Sequence, residues 1–198
     1  MARNGFFGVK NAHIARLTNE ETFTYEKPIH IPGTVEIKIE PFIEQSTSHG
    51  DNETWLDKYQ DNGGSITWSI YDIESTPVLR ALLADIIGFD IDEKGRLLAT
   101  SGKTPKPFAF MCEQPGHVVG KRRCIYKCTS KPASVDAKTL EDKPDITQLD
   151  YEFTFRPVKL PSGWRGSYID TYGDIDGYDK FFEEVDTAVM PKTGSVSA

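Results

Sequence analysis

Hydrophobic and polar residues alternate almost without a break in two stretches, Thr34-Val-Glu-Ile-Lys-Ile-Glu-Pro41 and Ile146-Thr-Gln-Leu-Asp-Tyr-Glu-Phe-Thr-Phe-Arg-Pro157. Period two means a β-strand with one face on a core and the other wet. In the first, Val35, Ile37 and Ile39 point inward while Glu36, Lys38 and Glu40 point out. In the second, Leu149, Tyr151, Phe153 and Phe155 oppose Asp150, Glu152, Thr154 and Arg156.

Further strand-like runs lie at 13–18, 65–71, 107–113 and 122–128, with Gly, Pro, Asn and Asp between them. The recurrence predicts a mainly β fold, a sandwich or barrel. One segment has a different period: Val78, Leu79, Leu82, Leu83 and Ile86 recur at three and four, after Thr76 as a cap and Pro77 at the first turn, and before Gly88. A flanking helix over 77–87 follows. Tyr178, Phe181, Phe182 and Val185 share that spacing and predict a second, shorter helix over 177–186. Residues 42–64 show no period, which predicts a long binding or disordered loop carrying Trp55 and Tyr59 among acids. The two rings either meet a partner or fold back on their own domain. The organisation expected is one domain over 1–187, with an N-terminal arm (1–10) and a flexible tail (188–198).

The chain has 198 residues, of which 38% are hydrophobic and 27% charged. That is low in core-forming residues for a compact enzyme and too apolar for a disordered chain. A net charge of −7 argues against a domain that grips nucleic acid by its phosphates. The N-terminus lacks the apolar run of a signal peptide and no stretch reaches the ~20 apolar residues of a membrane span, so a soluble, cytosolic product with no membrane role is expected. In that compartment the three cysteines read as free thiols.

Catalytic and metal motifs fail on inspection. Cys112, His117, Cys124 and Cys128 are four soft ligands, but along one strand Cys124, Tyr126 and Cys128 would share a face, with the two sulfurs ~13 Å apart. Small buried cysteines are the better reading. Asp174-Ile-Asp-Gly177 followed by Glu183 mimics the end of a calcium loop, yet the first ligand position holds Tyr172. Gly102-Lys-Thr104 would close a P-loop, but Leu97 stands where the first glycine is required. No nucleophile elbow, paired-histidine zinc motif or dinucleotide fingerprint is present, and no cofactor is implied. Lys121-Arg122-Arg123 is a small basic cluster, read as a solvated strand start, an inter-subunit salt bridge or a phosphate contact.

Along nearly its whole length the chain resembles the major tail tube proteins of long, flexible-tailed bacteriophages of Gram-positive bacteria. The resemblance is carried by Phe7-Gly-Val-Lys-Asn-Ala-His13, Thr24-Tyr-Glu-Lys-Pro28, Ile31-Pro-Gly-Thr-Val-Glu-Ile-Lys-Ile-Glu-Pro41 and Asp57-Lys-Tyr-Gln-Asp-Asn-Gly-Gly64. It continues in Arg80-Ala-Leu-Leu-Ala-Asp85, Cys112-Glu-Gln-Pro-Gly-His-Val-Val-Gly-Lys-Arg-Arg-Cys124, Asp136-Ala-Lys-Thr-Leu-Glu-Asp-Lys-Pro144 and Gly163-Trp-Arg-Gly-Ser167. It implies a tail-tube β-sandwich or barrel and a non-enzymatic structural subunit, assembled in the host cytoplasm and carried in the virion. Hexameric rings would stack head to tail into the tube that conducts the genome. The partners implied are further copies of the chain, the tape-measure protein, the tail terminator and distal tail proteins, with DNA passing without sticking.

Under that resemblance Glu36, Lys38, Glu40, Asp150 and Glu152 are lumen candidates, the opposite assignment to the outer sheet remaining open. Trp55, Asp57, Tyr59, Lys121, Arg122 and Arg123 are candidates for contacts between subunits or rings. The alternative of a different class is a monomeric carbohydrate-binding β-sandwich, stacking sugars on Trp55, Tyr59 and Trp164.

Overall fold

A computed structural model describes residues 8–50, 53–71, 76–130 and 149–190, and for residues 43–50 and 53–60 the backbone alone. The described strands are β1 (Lys10–Asn19), β2 (Thr24–Tyr25), β3 (Ile29–Ile31), β4 (Thr34–Gly50), β5 (Glu53–Ile70), β6 (Asp90–Ile91), β7 (Leu97–Leu98), β8 (Phe108–Gln114), β9 (Lys121–Ser130), β10 (Leu149–Phe155), β11 (Val158–Lys159), β12 (Arg165–Gly166) and β13 (Tyr168–Tyr172). One helix, α1 (Pro77–Ile87), interrupts them. The fold is mainly β and antiparallel, with a flanking helix.

Nine strands form one sheet in the order β2-β1-β8-β9-β10-β5-β4, with β3 also on β1 and β13 also on β9. Its two ends bury side chains in one core: Ala12, Ile14 and Ile31 from one end meet Ile66, Trp68 and Ile70 from the other, around Phe108, Phe110 and Phe153. Helix α1 covers this core with Leu79, Leu82, Leu83 and Ile86, each such burial contributing about 1.5–3 kcal/mol. The caps are those the sequence predicts. The Thr76 hydroxyl accepts from the Leu79 N–H, and Gly88 closes the helix at φ +85°, its N–H donating to the Ala84 carbonyl.

The other face is also covered. Ala15, Ala109, Met111, Cys124 and Tyr126 pack under Val158, Leu160 and Phe181, joined by Trp164, Phe182, Val185 and Val189. Burial on both faces is why Phe108–Cys112 reads as an unbroken apolar run instead of an alternating one.

Three sequence expectations are corrected. The region 42–64 is not a loop: β4 and β5 continue as a two-stranded hairpin whose backbone pairs run from Ile43 with Asp61 to Gly50 with Glu53. Strand β10 flanks β5 only from Gly64 onward, so the outer hairpin has no sheet neighbour but itself among the described residues. Period-two hydrophobicity arises when a face is buried, and a ribbon held by its backbone ladder need not show it.

The helix predicted over 177–186 is a single 3-10 turn at Tyr178–Lys180. Its apolar spacing serves a chain laid flat on the second core, where Phe181 is buried, Phe182 stacks on His13 at 4.3 Å and the Tyr126 hydroxyl donates to the Asp186 carbonyl at 2.8 Å.

Cys124 and Cys128 do not share a face. Between Phe108 and Phe110 the β8–β9 register shifts, Phe108 opposing Cys128 and Phe110 opposing Ile125. The extra β9 residue, a β-bulge, sends Cys128 with Ile125 into the first core and leaves Cys124 with Tyr126 in the second. All three cysteines are free and buried.

Candidate assembly surface

The two alternating stretches that stand out in the sequence become β4 and β10, and β5 lies between them. Its partners on one side are Glu36 to Ser69, Lys38 to Thr67 and Glu40 to Ser65. On the other they are Asp150 to Ser69, Glu152 to Thr67 and Thr154 to Ser65. Directly opposed residues share a face, so the pairs line up as three rows: Glu36-Ser69-Asp150, Lys38-Thr67-Glu152 and Glu40-Ser65-Thr154. All five charged members are exposed.

The lumen candidates of the sequence thus lie on one continuous surface, with four carboxylates against one ammonium. Lys38 reaches Glu40 at 2.6 Å, and that hydrogen bond, followed by the Glu40 charge, raises its pKa above the ordinary lysine value. The Ser69 hydroxyl donates to Asp150 at 2.6 Å. Behind these rows Ile66, Trp68, Tyr151 and Phe153 anchor the strands in the core, with Ile37 and Ile39 partly buried beside them. Val35 is the exception on the inward face, 38% exposed, because β4 is the last strand of the sheet.

Sequence reasoning missed Ser65, Thr67 and Ser69. The signal was present: Ser65-Ile-Thr-Trp-Ser-Ile70 alternates as strictly as its neighbours. Trp55, Asp57 and Tyr59 lie on β5 in the outer hairpin, and their side chains fall outside the described residues.

Lys121, Arg122 and Arg123 are engaged within their own chain. Arg123 makes a two-pronged ion pair with Asp170 (2.7 and 2.8 Å), which also takes Lys121 at 2.8 Å. Arg122 reaches Glu113 at 3.3 Å, donates to the Tyr178 carbonyl and lies over the Tyr178 ring. The solvated strand start expected from sequence is instead a partly buried network, because β13 and the 178–182 segment fold over it. Burial pushes the Asp170 carboxyl up, but the hydrogen bonds and charges of Arg123 and Lys121 outweigh it and hold it below the ordinary aspartate value. At Glu113 burial is likewise outweighed, by hydrogen bonds from Asn11 and Lys10 and the charge of Arg122.

Trp164, one of the rings assigned to sugar stacking, packs edge-on against Tyr126 at 5.7 Å and over Gly166. It serves the second core.

A pocket that the sequence did not announce opens at the base of the hairpin, lined by Phe42, Asp61, Asn62, Thr154, Arg156 and Arg165, among others. Asp61 accepts from the Gly63 N–H and from the Ser167 hydroxyl, both at 2.8 Å, tying the hairpin base to the chain ahead of β13.

No family model matches the chain, and no curated protein matches it. Among solved structures, a chain of "Cryo-EM structure of the anti-feeding prophage (AFP) baseplate, 6-fold symmetrised" aligns over 84% of this chain and 95% of its own length, at 10% identity and a TM-score of 0.45. At that identity and score the likeness assigns neither fold nor function.

Proposed function

We propose that this protein is a non-enzymatic structural subunit of a long-tailed bacteriophage tail tube, assembling with copies of itself into hexameric rings that stack around a channel for DNA. The observation that carries the reading is the acidic face of β4, β5 and β10, set on a chain whose sequence strings resemble that family. DNA carries about one negative charge per 1.7 Å of its axis, so a basic wall would hold it through counterion release. A wall of Glu36, Glu40, Asp150 and Glu152 would not. Over a Debye length near ~8 Å those carboxylates lubricate passage more than they drive it.

Strand β4 supports the same reading, since it ends the sheet with an edge to which no described strand is paired. Such an edge can join a neighbouring subunit by continuing the sheet, and stacking is a contact that does not close on itself and so extends a filament. Assembly in the host cytoplasm, residence in the virion, and contacts with tape-measure, terminator and distal tail proteins belong to the same proposal.

The test is negative-stain microscopy of the purified protein across a concentration series. Rings or tubes with a central channel are expected. Monomers at every concentration, with melting temperatures that rise on adding sugars, would give the protein to the carbohydrate-binding class instead.

A further inference from the structure

Most described cations on the sheet are matched inside the chain: Lys10 and Arg122 on Glu113, Lys121 and Arg123 on Asp170, Arg16 on Asp85, and Lys127 on Glu20. The excursion between β10 and β13 departs from this. Arg156, Lys159 and Arg165 are all exposed, Lys159 and Arg165 are opposed in the β11–β12 pair, and none has an ionic partner among the described residues. Arg156 and Arg165 line the pocket at the hairpin base together with Asp61, Asn62 and Thr154 and the apolar Phe155, Pro157 and Phe42, the last 49% exposed. Asp61 is already engaged by the Gly63 N–H and the Ser167 hydroxyl.

The reverse arrangement occurs elsewhere on the chain. The turn after β13 carries Asp174, Asp176, Asp179, Glu183 and Glu184, all exposed and none ion-paired among the described residues. Among these acids Ile175 is 49% exposed. The Gly173 N–H, donating to the Val119 carbonyl at 3.0 Å, fixes the turn beside Val118 and Val119, which are 69% and 44% exposed. One surface therefore sets exposed apolar groups among five acids and one lysine, Lys180, and the other sets apolar groups beside two arginines unpaired among the described residues and one hydrogen-bonded carboxylate, Asp61. An apolar centre with a charged rim is how protein interfaces are built, and opposite rims set register and encounter.

We propose that the pocket at Arg156 and Arg165 receives the acidic 174–184 turn of a second copy of this chain. The contact joins two different patches, so it is heterologous and either closes a ring or extends a filament. It rests on the tube reading and assigns one of that assembly's joints to named residues.

The experiment reverses each rim in the full-length protein, as Arg156→Glu with Arg165→Glu and as Asp174→Lys with Asp176→Lys, and measures assembly by sedimentation velocity. Circular dichroism checks that both fold. Each variant alone is expected to need about tenfold more protein, or greater, for half-assembly. An equimolar mixture is expected to assemble like the wild type, because each reversed pocket then meets a reversed turn. Variants that assemble as well as the wild type, or a mixture that does not recover, overturn this contact and leave the tube reading standing. A wild type that stays monomeric at every concentration overturns both. Retention of a short DNA duplex by the wild type, lost on reversing the arginines while assembly is unchanged, would give the pocket to phosphate and also overturn the contact.

Discussion

Glu36 and Asp150 stand on either side of one residue, Ser69, which pairs with both by register and donates its hydroxyl to the second. Two strand spacings separate them, about 10 Å, so their charges belong to one surface. Replacing Glu36 and Glu40 with Lys changes exposed groups only, and folding stability should move by no more than about 0.5 kcal/mol. If the proposed tail-tube role holds, tails built from the variant should be intact but release DNA more slowly, as followed by dye fluorescence during triggered ejection. Intact tails that eject at the normal rate would overturn the proposed lumen placement of these residues.

Asp170 is the shared anion of Lys121 and Arg123. Asp170→Asn leaves two partly buried cations short of a partner, and a loss of about 2 kcal/mol is expected from urea unfolding. The pH dependence has a definite sign. The folded pKa is depressed, so the carboxylate's contribution is full above its unfolded pKa of about 3.9 and is lost as pH falls through the lower folded value. Wild-type stability should therefore fall more steeply on the acid side than that of the Asn variant. Parallel acid limbs would mean that the pair contributes nothing.

Burial pushes the Cys112 thiol up to about 12 and raises Cys124 and Cys128 as well. The thiolate is the reactive form. Native protein at pH 8 should react with a disulfide reagent about a hundredfold or more slowly than unfolded protein, since only opened molecules expose these sulfurs. A fast-reacting native thiol would show that one of the two cores opens readily.

Gly63 has φ +90°, and a Cβ there would lie 1.9 Å from the Phe155 carbonyl oxygen. Both the dihedral and the contact exclude a side chain unless the backbone shifts. Gly63→Ala should cost about 3 kcal/mol or more, read as a lower urea midpoint. An unchanged midpoint would mean that the hairpin base and β10 are free to separate.

Where a face is buried, the chain announced its structure. The alternating strands, the helix from Pro77 to Ile87 and its Thr76 and Gly88 caps were legible because burial and capping leave residue-by-residue marks. The outer β4–β5 hairpin left none, being held by backbone bonds that any side chain permits. The Cys124–Cys128 relation failed for another reason. A bulge is set by one extra residue in a ladder, and the strand's own residues carry no count of its partner. The 177–186 segment shows that helical spacing is also satisfied by a chain laid across a sheet already formed. At the candidate surface, the charged members were evident one strand at a time. Their assembly into rows was not, because β5 must first be placed between β4 and β10, and that is decided by pairing across long sequence separations.

Strand β9 pairs with β8 along one edge, while on the other it holds β10 at Cys128–Ser130 and β13 at Lys121–Ile125. It is a splint across an interrupted strand: β10 and β13 run end to end against it, and residues 156–167 leave the line and return. The splint holds both ends of the interruption in register, while Val158, Leu160 and Trp164 pin the excursion itself to the second core. The exposed positions Arg156, Lys159 and Arg165 can change while the sheet keeps its register, so the charge on the excursion can drift separately from the apolar residues that hold it.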